Sequence, residues 1–297
     1  MWDNYYVNFF EKYKFEINVA LIALFEKHGR KTELNPILNE AMQYAVVLGG
    51  KRIRPILGIL SFEILQNQKT KITRAKAIRV LLSLELFHAF SLVHDDLPAI
   101  DNDQLRRGQL SVWKKFGEAN AILTGDALTM LAFENLAENA PDFTIRSLTK
   151  ILAECAGACG MIGGQVRDLQ TEKNLSLEAL LKTHRQKTGM LILAAVKMGA
   201  VLACADFQKT KLLESYAKKI GLAFQIKDDL LDVYGDEKIL GKKVGKDYTK
   251  KGFIKLLGLK NSEEKLEKLI TEAIVIARTL KSRRLGWLAG FVLSREK

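Results

Sequence analysis

Apolar residues recur three and four positions apart along nearly the whole 297-residue chain, which is the spacing of amphipathic and buried α-helices. Alternation of apolar and polar residues, the pattern of half-buried strands, is scarce. The chain has only four prolines and no Ser/Gly-rich linker, low-complexity tract or internal repeat. A chain of this length can bury a large core. The sequence therefore predicts an all-α protein in which residues 1–297 form a single helical domain.

Polar stretches interrupt the helical pattern and predict where one helix ends and the next begins. They lie near residues 29–35, 66–73, 139–144, 170–176 and 206–209. The apolar stretch 190–205 contains Lys197 and is shorter than the ~20 residues that span a membrane. We therefore expect a buried central helix there and no transmembrane segment.

Composition and charge narrow the class of partner. Three cysteines in a chain of this size indicate a reducing compartment, so we expect a cytoplasmic location. Asp3 and Glu11 interrupt the N-terminal segment, which does not resemble a signal peptide. A net charge of +12 favours polyanionic partners, namely nucleic acid, anionic lipid or phosphorylated substrates. No zinc-finger or ribonucleoprotein motif accompanies this charge, so nucleic-acid binding is not expected.

Two aspartate-rich segments occur in this basic chain, at residues 95–101 (DDLPAID) and 228–232 (DDLLD). Each follows an apolar helical run, which argues against two solvated acidic helix ends. In a helix, Asp228 and Asp232 lie on one face because they are four residues apart. Carboxylates this dense repel one another unless a cation lies between them. The two segments therefore predict a shared site for divalent metal ions.

The first segment needs a turn to form such a site. Pro98 interrupts a regular helix, so a bulge or loop must return Asp101 to the side of Asp95. Mg²⁺ is the metal we expect, because it binds oxygen ligands, keeps several waters and shares its ligands with substrate phosphates.

Three basic segments complement the carboxylates. The segment 49–55 (GGKRIRP) places three cations at a predicted helix start, where Gly-Gly allows a close backbone approach and Arg can bind a diphosphate bidentately. The segment 106–108 (RRG) follows the first aspartate segment, and 187–189 (KTG) begins an apolar helix. Two modes of anion binding, through metal and through Lys or Arg, predict two phosphorylated substrates.

These motifs resemble those of the trans-isoprenyl diphosphate synthase family. The resemblance covers about residues 40–250 and is strongest to bacterial members that make farnesyl diphosphate. Six motifs occur in the family's order: GGKRIRP, HAFSLVHDDLPAIDNDQLRRG, KFGEANAILTGDAL, GMIGGQVRDL, HRQKTGMLI and AFQIKDDLLDVYGD. The resemblance implies an all-α homodimer in which each subunit is a helical barrel with a central substrate cavity.

The resemblance also implies roles for individual residues. Asp95, Asp96 and Asp101 would bind two Mg²⁺ ions that hold the allylic diphosphate, and Asp228, with Asp229 and Asp232, a third. The residues expected to contact the allylic substrate are Arg106, Lys187, Thr188, Gln225 and Lys242. Those expected to bind isopentenyl diphosphate are Lys51, Arg54, His88 and Arg107. Gln165 and Asp168 fall in a segment that faces the cavity and lies behind the residues that contact the substrates.

The implied reaction is the Mg²⁺-dependent condensation of isopentenyl diphosphate with dimethylallyl or geranyl diphosphate. The departing diphosphate leaves an allylic cation, to which the second substrate adds, so no side-chain nucleophile is required. In the family the residue five before the first aspartate sets product length, and here it is Phe90. It lies about 7.5 Å along the helix from the metal site, and its aromatic ring predicts farnesyl diphosphate (C15).

Several alternatives remain at this point. A geranylgeranyl (C20) diphosphate synthase is disfavoured by Phe90, and a non-catalytic prenyl synthase subunit by two intact aspartate motifs. A terpene cyclase is disfavoured because its second metal motif is built from Asn, Ser or Thr, and Glu. The segment 250–254 (KKGFI) departs from the family's Lys-x-Thr-aromatic-Pro pattern, which puts its contribution to the site in question.

Overall fold

The computed structural model describes residues 4–67, 70–170, 176–240 and 252–294, and most of them are helical. The all-α prediction is therefore confirmed. The chain divides into two compact units, Met1–Ala153 with Lys197–Ala205, and Glu154–Val196 with Asp206–Lys297. The single-domain assignment of residues 1–297 stays a prediction.

The first unit is built around one buried helix, α4. Thr73 caps its N-terminus by accepting a hydrogen bond from the Lys76 N–H, and most of its residues from Ala77 to Val93 are buried. It packs against α1, α2, α3 and α6. The helices that begin in this unit are α1 (Asn4–His28), α2 (Pro36–Val47), α3 (Ile53–Leu65), α4 (Arg74–Asp95), α5 (Val112–Phe116), α6 (Glu118–Asn139) and α7 (Asp142–Ala156).

One short hairpin interrupts the helices of the first unit. Strands β1 (Leu105–Arg106) and β2 (Gln109–Leu110) pair antiparallel, with Arg106 opposite Gln109. The two turn residues, Arg107 and Gly108, have φ of 55° and 77°. Positive φ at both central residues is the geometry of a tight two-residue hairpin turn whose twist suits the strands.

The second unit is built around the long helix α11, which packs against α13, α14 and a π-helix at Arg185–Gly189. A π-helix is rare and often occurs at functional sites. The elements that begin in this unit are α8 (Met161–Leu169), α9 (Leu177–His184), the π-helix, α10 (Met190–Leu202), α11 (Phe207–Leu240), α12 (Phe253–Leu257), α13 (Leu259–Thr279) and α14 (Arg283–Ser294).

Within the described ranges, α4 is the helix that is long and apolar enough to cross a membrane by length and composition. In its most apolar window 72% of the residues are buried inside the protein. A core helix of a water-soluble protein has the same features, so this helix is weak evidence for a membrane span.

Candidate active site

The first aspartate segment begins at the last residue of α4. The helix ends at Asp95, and Asp96 caps it by donating its N–H to the Leu92 carbonyl at 3.1 Å. The chain then turns through Pro98, and the Asp101 N–H donates to the Asp95 carbonyl at 2.9 Å. The turn returns the backbone of Asp101 to that of Asp95, as the spacing of the segment requires.

Asp96 is paired with Arg106 from strand β1. The Asp96 side chain is only 3% exposed, and it accepts hydrogen bonds from Arg106 Nε at 2.9 Å and from Nη2. Burial raises the pKa of Asp96, and the Arg106 guanidinium opposes that rise. Burial alone would lower the pKa of Arg106, but the hydrogen bond and charge of Asp96 more than offset it. A residue expected to bind diphosphate therefore pairs with one expected to bind metal.

Arg107, in the turn of the hairpin, lies against residues 49–52, the Gly-Gly loop, which precedes α3. Its guanidinium donates to the Gly49 carbonyl, and an added Cβ at Gly50 would lie 2.9 Å from Arg107 Nη2. Gly50 has φ of 118°, a conformation that side chains disfavour. The loop that carries Lys51 and leads into α3, where Arg54 lies, is therefore in direct contact with the hairpin that carries Arg107.

His88 on α4 lies within the field of these cations. Burial lowers the pKa of His88 well below its ordinary value, and the charges of Arg54 and Arg107 lower it further. The imidazole is therefore neutral at physiological pH, with one ring N–H that can donate to an anion. The charges of Arg54 and Arg107, two further residues expected at the isopentenyl diphosphate site, therefore act on the His88 ring.

A buried ion pair that the sequence reasoning missed anchors the Gly-Gly loop. Arg52 Nη1 lies 2.9 Å from Glu85 Oε2 on α4, and the two side chains are 2% and 3% exposed. Arg52 also donates to Asn18 Oδ1 at 2.9 Å and to the Val46 carbonyl at 2.7 Å. Arg52 has φ of 52° at the N-cap of α3, so these bonds hold a disfavoured backbone conformation between Lys51 and Arg54.

Phe90, the expected determinant of product length, is 9% exposed and lies within an aromatic cluster on α4. Its ring makes edge-to-face contacts with Phe87 and His94, with ring centroids 6.0 Å and 5.0 Å apart. Such contacts fix the orientation of a ring. His94 packs so tightly against Gly125 on α6 that an added Cβ at Gly125 would lie 2.1 Å from His94 Nε2.

In the second unit, the π-helix carries Lys187 and Thr188. Lys187 Nζ donates to Asp168 Oδ2 on α8 at 2.7 Å. Helix α8 approaches so closely that an added Cβ at Gly164 would lie 2.2 Å from the Lys187 backbone nitrogen. Gln165, on the same helix, has both amide polar atoms buried without a hydrogen-bonding partner among the described residues. Such atoms are expected where a ligand or water completes the site.

A chain of hydrogen bonds leads from the π-helix to the second aspartate segment on α11. Thr188 Oγ1 donates to Gln225 Oε1 at 3.1 Å, and Gln225 Nε2 donates to Asp229 Oδ1 at 3.3 Å. The Phe253 backbone N–H donates to Asp229 Oδ2 at 2.8 Å. The Phe253 contact could not be predicted from the sequence, since this residue lies in the segment that departs from the family pattern.

Asp228 is half-buried on α11, beside Asp229. The side chain of Asp232, the remaining acid of the second segment, and the whole of Lys242 lie outside the described residues.

Within the described part of the chain, no three acidic, histidine or cysteine side chains are grouped closely enough to share one metal ion. Mg²⁺ does not require such a group, because one or two carboxylates and the oxygens of a bound diphosphate satisfy it. Asp95, Asp96 and Asp101 supply only carboxylate oxygens, and the cationic Arg106 lies beside Asp96. Asp228 and Asp229 likewise supply only carboxylate oxygens. The donor chemistry therefore fits Mg²⁺ bound together with a diphosphate.

The fold is helical, and it carries two aspartate segments, a Gly-Gly loop with cations and a π-helix with Lys187 and Thr188. These features together define a class of enzymes that act on prenyl diphosphates. The polyprenyl synthetase family model matches residues 35–284. The chain belongs to this family, and its fold is the all-α isoprenoid synthase fold.

Individual relatives cover nearly the whole chain. Farnesyl diphosphate synthase of Escherichia coli (strain K12) is 44% identical over 272 residues, which are 87% of this chain and 89% of that protein. Farnesyl diphosphate synthase of Haemophilus influenzae is 42% identical, covering 94% of this chain and 95% of that protein. The crystal structure of a geranyltransferase from Legionella pneumophila superposes with a TM-score of 0.86 at 32% identity, covering 99% of this chain and 98% of that one.

Proposed function

We propose that the protein is a farnesyl diphosphate synthase, which condenses isopentenyl diphosphate with dimethylallyl or geranyl diphosphate to give the C15 product. The observation that carries the proposal is the contact of the Gly-Gly loop with Arg107, beside the Asp96–Arg106 pair. This arrangement supports a cationic anion-binding site next to a carboxylate site in one unit. The bacterial relatives, similar over nearly their full lengths, support the same activity.

Allylic diphosphate binds through the metal ions that the carboxylates would hold, and through a set of cationic and polar side chains. Asp95, Asp96 and Asp101 would hold two Mg²⁺ ions, and Asp228, with Asp229 and Asp232, would hold a third. When bound, Mg²⁺ supplies the positive charge that neutralises the diphosphate leaving group. Arg106, Lys187, Thr188, Gln225 and Lys242 bind the same diphosphate and orient it.

Isopentenyl diphosphate binds through direct hydrogen bonds. Lys51, Arg54 and Arg107 contact its diphosphate, and neutral His88 donates its ring N–H without adding charge. Arg52, held by Glu85, fixes the backbone between Lys51 and Arg54.

The reaction then follows from charge stabilisation and positioning. The C1–O bond of the allylic substrate breaks, and the electron pair leaves with the diphosphate. The double bond of isopentenyl diphosphate, held close to C1, adds to the allylic cation. The departing diphosphate accepts the proton that the product loses, so the protein supplies no covalent nucleophile. The ring of Phe90 limits the growing chain to C15.

Incubation of the purified protein with radiolabelled isopentenyl diphosphate, geranyl diphosphate and Mg²⁺ tests the proposal. We expect a dominant C15 product that EDTA abolishes. A C20 product would retain the chemistry and reject the role of Phe90. Absence of any metal-dependent product would favour a non-catalytic subunit.

We also propose a cytoplasmic homodimer. Helix α6 exposes Ile122, Leu123 and Met130 at 47%, 55% and 63%, which is an apolar surface for a second copy of the chain. Light scattering coupled to gel filtration should give the mass of a dimer for the wild-type protein. The Met130→Asp variant should shift that mass toward the monomer, and an unchanged mass would remove α6 from the interface.

A further inference from the structure

One carboxylate of the second aspartate segment is held by the backbone of a distant segment. Asp229 on α11 accepts the Phe253 N–H at the first residue of α12, and Gln225 bonds its other oxygen. A hydrogen bond from an N–H group to a carboxylate is charge-assisted and stronger than one between neutral groups. Bonds to both oxygens fix the rotation of the carboxylate about its Cβ–Cγ bond. Each carboxylate oxygen has two lone pairs, so one hydrogen bond to an oxygen does not by itself prevent that oxygen from binding a metal ion.

Gly252 makes this approach possible. An added Cβ at this position would lie 2.6 Å from Asp229 Oδ2, closer than such atoms pack. The backbone at Gly252 is extended, with φ of 165° and ψ of −179°, a conformation open to any residue. The requirement for glycine is therefore one of space next to the carboxylate.

The Phe253 ring fixes the position of its own N–H group. Phe253 is fully buried, and its ring stacks on His184 with centroids 5.2 Å apart and planes inclined by 25°. Neither ring nitrogen of His184 has a hydrogen-bonding partner among the described residues. The contact between His184 and Phe253 is therefore one of stacked rings.

We propose that Gly252 and Phe253 form a backbone latch that positions the Asp229 carboxylate for metal binding. The inference rests on the proposed function for the identity of the metal and the diphosphate. Phe253 is a positioning residue, since it acts through Asp229. Loss of the latch should weaken Mg²⁺ binding in the presence of diphosphate, with a smaller effect on turnover when Mg²⁺ is saturating.

A matched pair of variants isolates the N–H donor. Phe253→Leu keeps the N–H and loses the ring, whereas Phe253→Pro loses both. Proline suits the first residue of a helix, and the extended Gly252 suits the position before it. Gly252→Ala and Gly286→Ala form a second pair, because an added Cβ at Gly286 meets nothing closer than 4.0 Å. Thermal denaturation of every variant monitors folding.

The measurement is calorimetric titration of Mg²⁺ into each protein in the presence of inorganic diphosphate, together with the Mg²⁺ dependence of product formation. We expect the apparent Mg²⁺ affinity to be about tenfold weaker in Phe253→Pro than in Phe253→Leu, since a bond to a charged group is lost. Gly252→Ala should be weakened relative to Gly286→Ala in the same way.

Equal Mg²⁺ affinities within both pairs would overturn the latch. Should Phe253→Pro not fold, the glycine pair decides by the same criterion. If the wild-type protein forms no product, the proposed function fails, while calorimetry with diphosphate still tests the latch.

Discussion

The buried Arg52–Glu85 ion pair predicts a large and specific loss of stability on removal of the carboxylate. The two charged groups are 2.9 Å apart at their nearest atoms and almost inaccessible. At an effective dielectric constant of about 20 and a charge separation of about 4 Å, their attraction is roughly 4 kcal/mol. Removing one partner of a buried pair costs about 3–5 kcal/mol, because the other charge stays buried and unpaired.

We therefore expect Glu85→Ala to lower the free energy of unfolding by about 3–5 kcal/mol, measured by urea denaturation followed by circular dichroism. Glu138→Ala is the matched control, because it breaks the Lys27–Glu138 pair, whose side chains are 70% and 41% exposed. That loss should be at most about 1 kcal/mol. Equal losses for the two variants would refute the view that Arg52 depends on Glu85.

Three further predictions follow from contacts within the two units. Phe90→Ala should shift the product from C15 toward C20, measured by product chromatography, and an unchanged C15 product would reject the role of this ring. Burial lowers the pKa of His184 to about 4. The unfolded chain therefore binds a proton that the folded protein excludes, and wild-type stability should fall as pH falls from about 6.5 to about 4. His184→Phe should lose that part of the pH dependence in urea denaturation, and an unaltered dependence would contradict the assignment. Gly164→Ala places a Cβ 2.2 Å from the backbone nitrogen of Lys187, so thermal and urea denaturation should show a loss of about 1–3 kcal/mol, whereas Gly286→Ala, with 4.0 Å of space, should be near neutral.

The helical class and the helix connections could be predicted from the sequence because they depend on local patterns. Gaps between helices fall where polar stretches interrupt the apolar spacing, for example between α1 and α2 and between α6 and α7. The return of Asp101 to Asp95 also follows locally, because Pro98 cannot continue the helix.

Pairings between distant residues could not be predicted in this way. Glu85 lies on the same helix as His88, but nothing in the spacing shows that it faces Arg52. That contact depends on the rotation of α4 and on the positive φ of Arg52. The Phe253–Asp229 bond is likewise set by the packing of α12 on α11, and it uses a backbone N–H that every non-proline residue possesses.

The Asp96–Arg106 pair has a thermodynamic consequence for ligand binding. A metal ion that binds the Asp96 carboxylate weakens the hydrogen bonds between that carboxylate and the Arg106 guanidinium. A diphosphate that binds the guanidinium likewise leaves the carboxylate available to the metal ion. Each ligand thereby removes a competitor of the other, which is positive coupling and is reciprocal by linkage. Metal and diphosphate are therefore expected to bind cooperatively, each with higher affinity in the presence of the other.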